Sequence, residues 1–138
     1  MTTEQAAAAY LDGVCPSNIA AENYNAQYDA LVAAGSGADI APMQTAAVAM
    51  RDANQASAVA FSAPDTPWPT EVQSDIAVIA ASYFKDLADL DRLIQADSAD
   101  SVLAVRFSER TAEEKAAGPR VRTLLGLGLD TQASCAGR

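Results

Sequence analysis

Tyr10, Val14, Ser17, Ala21, Tyr24, Tyr28 and Leu31 recur at alternating spacings of four and three through the first part of this 138-residue chain. That period marks one face of an α-helix. A strand would instead alternate at every second residue. A second stripe runs through Ile40, Met43, Ala47, Met50, Asn54, Ser57 and Phe61. A third, the most hydrophobic, holds Ile76, Ile79, Tyr83, Leu87, Leu90 and Ile94. The fourth holds Val102, Val105, Glu109, Ala112 and Ala116, widened by Leu103 and Phe107. Long alternating segments are missing, so the chain reads as all-α.

Breakers set the limits of these elements. The expected helices span about residues 3–34, 40–61, 71–96 and 99–117, with a short helix over 119–125 and an irregular tail from Gly128. Gly35-Ser36-Gly37 ends the first helix, because glycine accepts the left-handed conformation found past helix ends. The first stripe runs through Pro16, which removes a backbone bond to Asp12, so a kink is expected there; the rival is two helices broken at Gly13 to Cys15. Asp39 can cap the second helix, and Thr70 with Gln73 forms a capping-box pattern for the third. The segment Pro64 to Pro69, with the single tryptophan between two prolines, makes a stiff crossover. Gly118-Pro119 is expected to stop or reset the fourth helix, and Gly126 to end the short one. Four amphipathic helices with short linkers favour an antiparallel up-down-up-down four-helix bundle in a single domain, 1–138.

Alanine supplies 32 residues, which predicts a thin, closely packed core with its larger side chains concentrated on the third helix. Histidine is absent, which removes imidazole bases, histidine-activated nucleophiles and the commonest zinc and haem ligands. The net charge of −9 repels nucleic acid phosphates. The basic groups are uneven: residues 1–100 carry three against 14 acidic, and residues 101–138 carry six against four. No apolar run is long enough to cross a membrane.

The two cysteines lie near opposite ends of the chain. In an antiparallel bundle the fourth helix ends where the first begins, which brings Cys135 within reach of Cys15 through the tail. A bridge between them is favoured over two unrelated thiols, and it suits an oxidising compartment.

Candidate chemistry is sparse. Arg106, Arg110, Arg120 and Arg122 together form a candidate clamp for a carboxylate or phosphate, set against a salt-bridge network with Glu109, Glu113 and Glu114 as the default. Asp86, Asp89, Asp91, Asp97 and Asp100 lack the spacing of a calcium loop and read as a solvated helix face, with Lys85, Asp89 and Arg92 at pairing distances. Asn18 and Asn25, seven apart on the first helix, are candidates for a hydrogen bond across the bundle or to a ligand, with the fixing of helix register as the commoner role. A stripe of tyrosine and methionine can line a cofactor cavity, though core packing accounts for it more simply. No catalytic residue, metal or cofactor is expected.

The string Ala9-Tyr10-Leu11-Asp12-Gly13-Val14-Cys15-Pro16-Ser17-Asn18, the loop Pro67-Trp68-Pro69 before Glu71-Val72, and Val121 to Leu127 ahead of a final cysteine resemble small exported helical proteins of actinobacteria. Many of those are predicted lipoproteins of unknown function, in which a signal and a lipid-bearing cysteine precede the helical domain; the stretch from Met1 carries neither. The resemblance implies an extracellular or cell-surface location and a bridge between Cys15 and Cys135, and it transfers no catalytic residue. The expected function is that of a non-enzymatic module acting through contacts with a protein or envelope component. The alternative is a small-ligand or metal binder using an inter-helix pocket or the arginine-rich end.

Overall fold

A computed structural model describes all 138 residues. It is all-helical: α1 (Thr3–Ala34), α2 (Ala41–Phe61), α3 (Thr70–Ile94), α4 (Ala99–Ala104), α5 (Ala112–Leu124) and α6 (Thr131–Cys135). The helices α1 and α2, α2 and α3, α3 and α5, and α1 and α6 pack against one another.

The long helices start and stop for local reasons. Thr2 accepts from Gln5 N–H while Gln5 Oε1 accepts from Thr2 N–H, a capping box for α1. Gly35, at φ 77°, ends that helix as expected. Pro16 does not break α1, which rules out the two-helix rival. Its ring is exposed, while Val14 and Cys15 beside it are buried, and burial on the inner face offsets one lost backbone bond. Asp39 is not the cap residue of α2: Ile40 takes that position without a side-chain cap, and Asp39 Oδ1, one residue before it, accepts from Ala41 N–H at 3.0 Å. The capping box expected at Thr70 is not formed: α3 begins with Thr70 itself after Pro69, and Gln73 Nε2 donates instead to the Trp68 carbonyl at 2.9 Å.

The expected fourth helix, 99–117, is two helices. α4 ends at Val105, whose ψ of 128° is extended, and α5 starts only after Thr111. Side chains of α3 hold the intervening backbone: Asp89 Oδ2 accepts from Ser108 N–H at 3.0 Å, and Lys85 Nζ donates to the Glu109 carbonyl at 2.8 Å. Thr111 and Glu114 then form a capping box that starts a new helix. Nor does Gly118-Pro119 stop it, because α5 continues to Leu124 and buries Ala117 and Val121 completely on either side of the proline. The tail is less irregular than expected. Asp130 accepts from Ala133 N–H and caps the short α6.

Two apolar clusters divide the core. One joins Tyr10, Val14 and Cys15 to Phe61, Trp68, Val72, Ile76, Val121 and Cys135. The other joins Leu31 to Met43, Ala47, Leu90, Leu93 and Val102. The largest wholly buried side chains include Ile76, Leu90, Leu93 and Val72 of α3, while α2 buries Ala46, Ala47 and Ala58, as the alanine content predicts. Between the clusters, each long helix contributes buried polar side chains: Ser17 from α1, Asn54 and Ser57 from α2, Ser82 and Asp86 from α3.

Candidate functional site

The polar layer exists because the stripes that face inward contain polar residues at mid-length. Ser17 and Ser57 satisfy each other there. Ser57 Oγ lies 2.6 Å from the Gly13 carbonyl and 2.9 Å from the Ala53 carbonyl, so its single proton serves the backbone and Ser17 donates to it at 2.8 Å.

Asn54 is different. It is 1 % exposed, and neither its Nδ2 nor its Oδ1 has a partner. A buried amide without hydrogen bonds costs about 1–3 kcal/mol, so such a group needs a reason. It lines a half-open cavity of about 390 Å³ between α1, α2, α3, α5 and the start of the tail. That volume suits a small ligand. Tyr10, Val14 and Ile79 give the cavity apolar wall, and Asn54, Tyr83, Asp86 and Arg122 give it polar wall.

Burial pushes the Tyr83 hydroxyl up to about 12, with Tyr10 adding to the effect. Burial also raises Tyr10, against the pull of the neighbouring Arg122 guanidinium. Both phenols are therefore neutral near pH 7. Burial raises the Asp86 carboxyl too, and Arg110, whose Nη2 donates to Oδ2 at 2.5 Å, draws it part of the way back.

Of the five aspartates expected on a solvated face, Asp97 and Asp100 are exposed and Asp91 is half-buried, but two are not on that face. Asp86 and Asp89 are buried, as is Asp75. They point inward because each receives a donor from the segment beyond α4: Asp75 from Arg120, Asp86 from Arg110, and Asp89 from Ser108 N–H as well as from Arg92. Burial alone would raise Asp89, but the Ser108 and Arg92 hydrogen bonds hold it below 3.8. Asp91 pairs with Arg51, Asp97 accepts from Ser101, and Asp100 accepts from Ser36. No three acidic or cysteine side chains gather as a metal site.

The four arginines do not form a clamp. Arg106 is exposed and donates to the Leu103 carbonyl at 2.6 Å. Arg110 pairs with Asp86, and Arg120 with Asp75 and Glu113. The network expected with glutamates thus runs mainly to α3 aspartates. Arg122 alone is buried, at 3 % exposure. It donates to the carbonyls of Gly128 and Asp130 and to Ser134 Oγ.

Cys15 and Cys135 are bonded, with Cα atoms 5.3 Å apart. The bond and the Arg122 contacts hold the tail against α1 and α5, so that Leu129 and Thr131 complete the cavity rim. Asn18, also on that rim, lies 3.9 Å from Cys135 Sγ, whereas Asn25 is exposed and fixes no register. Asn54, Tyr83 and Asp86 were not singled out as site residues by sequence reasoning. For Asn54 and Tyr83 the signal was a side chain with a polar group standing at a stripe position otherwise occupied by core residues; Asp86 lies beside its stripe and carried no such signal. No family model matches the chain, and neither a curated protein nor a solved structure matches it.

Proposed function

We propose that the protein is a non-catalytic, exported helical module that binds a small polar ligand in the cavity between α1, α2, α3 and α5. The observation that carries this reading is Asn54, whose buried carboxamide lacks every protein partner and belongs to the wall of a half-open cavity. A packing role alone would favour leucine there, since leucine fills a similar volume without an unmet hydrogen bond.

Export is supported by the Cys15–Cys135 bond, a kind of link that persists in oxidising compartments. No helix is long and apolar enough to cross a membrane. The same reading includes the likeness to exported actinobacterial proteins and an up-down-up-down bundle kinked at Pro16. In that bundle the α4–α5 segment takes the fourth position, which the packing of α3 against α5 supports. Contact with an envelope component is the second reading, favoured by Leu124 and Leu129, both exposed on the tail side.

The test is a ligand-observed NMR screen of small polar fragments at about 1 mM, where weak first binders are detectable. The oxidised protein is compared with Asn54→Leu. Fragments that bind the first and are lost from the second support the pocket; a screen without any Asn54-dependent binder overturns it. Two free thiols in protein taken from its native host would overturn export.

A further inference from the structure

The geometry points to a small monocarboxylate that also carries an amide as the ligand of this cavity, an inference that rests on the pocket reading above. Arg122 is the first reason. Five other arginines, Arg51, Arg92, Arg110, Arg120 and Arg138, each meet a carboxylate. Arg106 meets none but is exposed to water. Arg122 is buried and meets none: its acceptors are two backbone carbonyls and a serine hydroxyl. Burying a guanidinium among neutral acceptors is costly, and an anion delivered to it recovers that cost.

The wall leaves only positive charge unmatched. Asp86 is taken by Arg110, and Glu114 by Lys85 and Thr111 N–H. Lys115, on the same wall, has no carboxylate partner. Tyr10 beside Arg122 is held neutral by burial and supplies no counter-charge. The site is thus locally electropositive in a chain of net charge −9. Anion binding there is built by local pairing and not by the overall field.

Asn54 supplies the second half of the specification. Its oxygen needs a donor and its nitrogen an acceptor, and a planar amide offers both at once. Val14, Ile79 and Tyr10 then suit a short apolar body between the two polar ends. A single buried guanidinium matches a single carboxylate, which takes the guanidinium fork in two parallel hydrogen bonds.

The experiment follows backbone and side-chain amide NMR signals of the oxidised protein with N-acetylalanine, N-acetylalaninamide, acetate and tetra-alanine. N-acetylalanine is expected to shift the Asn54 side-chain resonances saturably. The neutral amide and acetate should each bind at least about tenfold more weakly, a loss of about 1.4 kcal/mol. Tetra-alanine places the same carboxylate and amide at a peptide end: equal binding assigns the chemistry to peptide termini, and weaker binding to free amido acids, and both support it. Arg122→Gln should equalise N-acetylalanine and its amide, while Arg122→Lys keeps the preference. Because Arg122 also fastens the tail, the spectrum of each variant must first match the parent fold. Equal affinity for acid and amide, or a preference that survives Arg122→Gln, overturns the carboxylate assignment. If none of the four probes binds but other fragments do so in an Asn54-dependent way, the ligand class is wrong and the pocket stands. If no fragment of any class binds, the pocket reading itself fails.

Discussion

Gly13 of α1 lies against the ring of Phe61, so that a Cβ built at position 13 would fall inside the van der Waals envelope of the ring edge. Phe61 cannot yield easily. Its ring is buried, stacked on Tyr10 at 5.9 Å and on Tyr83 at 6.4 Å, with Trp68 edge-on at 5.9 Å. Glycine here serves close helix approach, with no left-handed turn involved. Gly13→Ala should therefore destabilise the fold by about 1–3 kcal/mol despite alanine's better helix propensity. Urea unfolding followed by the fluorescence of the buried Trp68 reads this directly; a stabilised variant would show that the ring moves aside freely.

The Cys15–Cys135 bond spans a sequence separation of 120 residues. Closing so large a loop restricts the unfolded chain, so the double variant Cys15→Ala/Cys135→Ala should lose up to about 5 kcal/mol. Limited proteolysis should then cut first in residues 127–138, where the Arg122 contacts, the Arg138–Asp12 pair and the packing of the short α6 on α1 still hold the tail. Superimposable denaturation curves with and without reductant would show the bond to be idle.

Asn54→Leu is expected to stabilise the protein by about 1 kcal/mol, because it removes two unmet hydrogen-bonding groups and adds apolar burial. Ser57→Ala, in the same layer, should do the opposite by a similar amount, since Ser57 holds Gly13, Ala53 and Ser17 together. Thermal unfolding of the pair checks the contrast. A gain at Asn54 coupled to loss of fragment binding is the usual cost of a binding site.

Acid should act through Asp86 and Asp89 with opposite signs. The Asp86 carboxyl is raised by burial above 3.8, so between its folded value and 3.8 the folded state takes a proton that the unfolded chain does not. Its share of stability rises as pH falls through that window. Asp89, held below 3.8 by Ser108 and Arg92, contributes stability above 3.8 that is lost as pH falls through its folded value. Asp86→Asn should hold the fold at least as well as the parent near pH 7, because Arg110 is half-exposed and can return to water. The two should converge by about pH 3, below the ordinary carboxylate range. A urea series across pH measures this, and a variant much weaker than the parent at pH 7 would show the Asp86–Arg110 pair to be a net stabiliser.

The three long helices were legible because their stripes are long and their ends carry chemical signals. Gly35 acts where the sequence places it, and Asp39 takes an N–H of the first turn of α2 from one residue outside the cap position. The fourth helix was misread because Val102, Val105, Glu109 and Ala112 keep a helical period that tertiary contacts override: Asp89 and Lys85 bind the backbone at Ser108 and Glu109 and hold it extended. Thr111-Ala112-Glu113-Glu114 carried a capping-box pattern that marked the true restart. Asp75, Asp86 and Asp89 were hidden for a related reason. An aspartate on a helix looks solvated until its partner is known, and the partners lie 19 to 45 residues away. The polar layer could have been found: Ser17, Asn54 and Ser57 already stood on stripes that face the core, and a side chain able to donate and accept is unusual company for Val14, Met50 and Phe61.

The bond between positions 15 and 135 also decides how the molecule carries a mechanical load. Tension applied between its two ends passes along residues 1–15, across the sulfur–sulfur link, and out through residues 135–138. The helices α2, α3, α4 and α5 hang from that path as an unstressed loop. Under oxidising conditions a pull from outside the bond would draw on residues 1–15, and with them Tyr10 and Val14 of the cavity wall, while residues 16–134 bear no load, whereas after reduction the same pull would draw on every helix in turn.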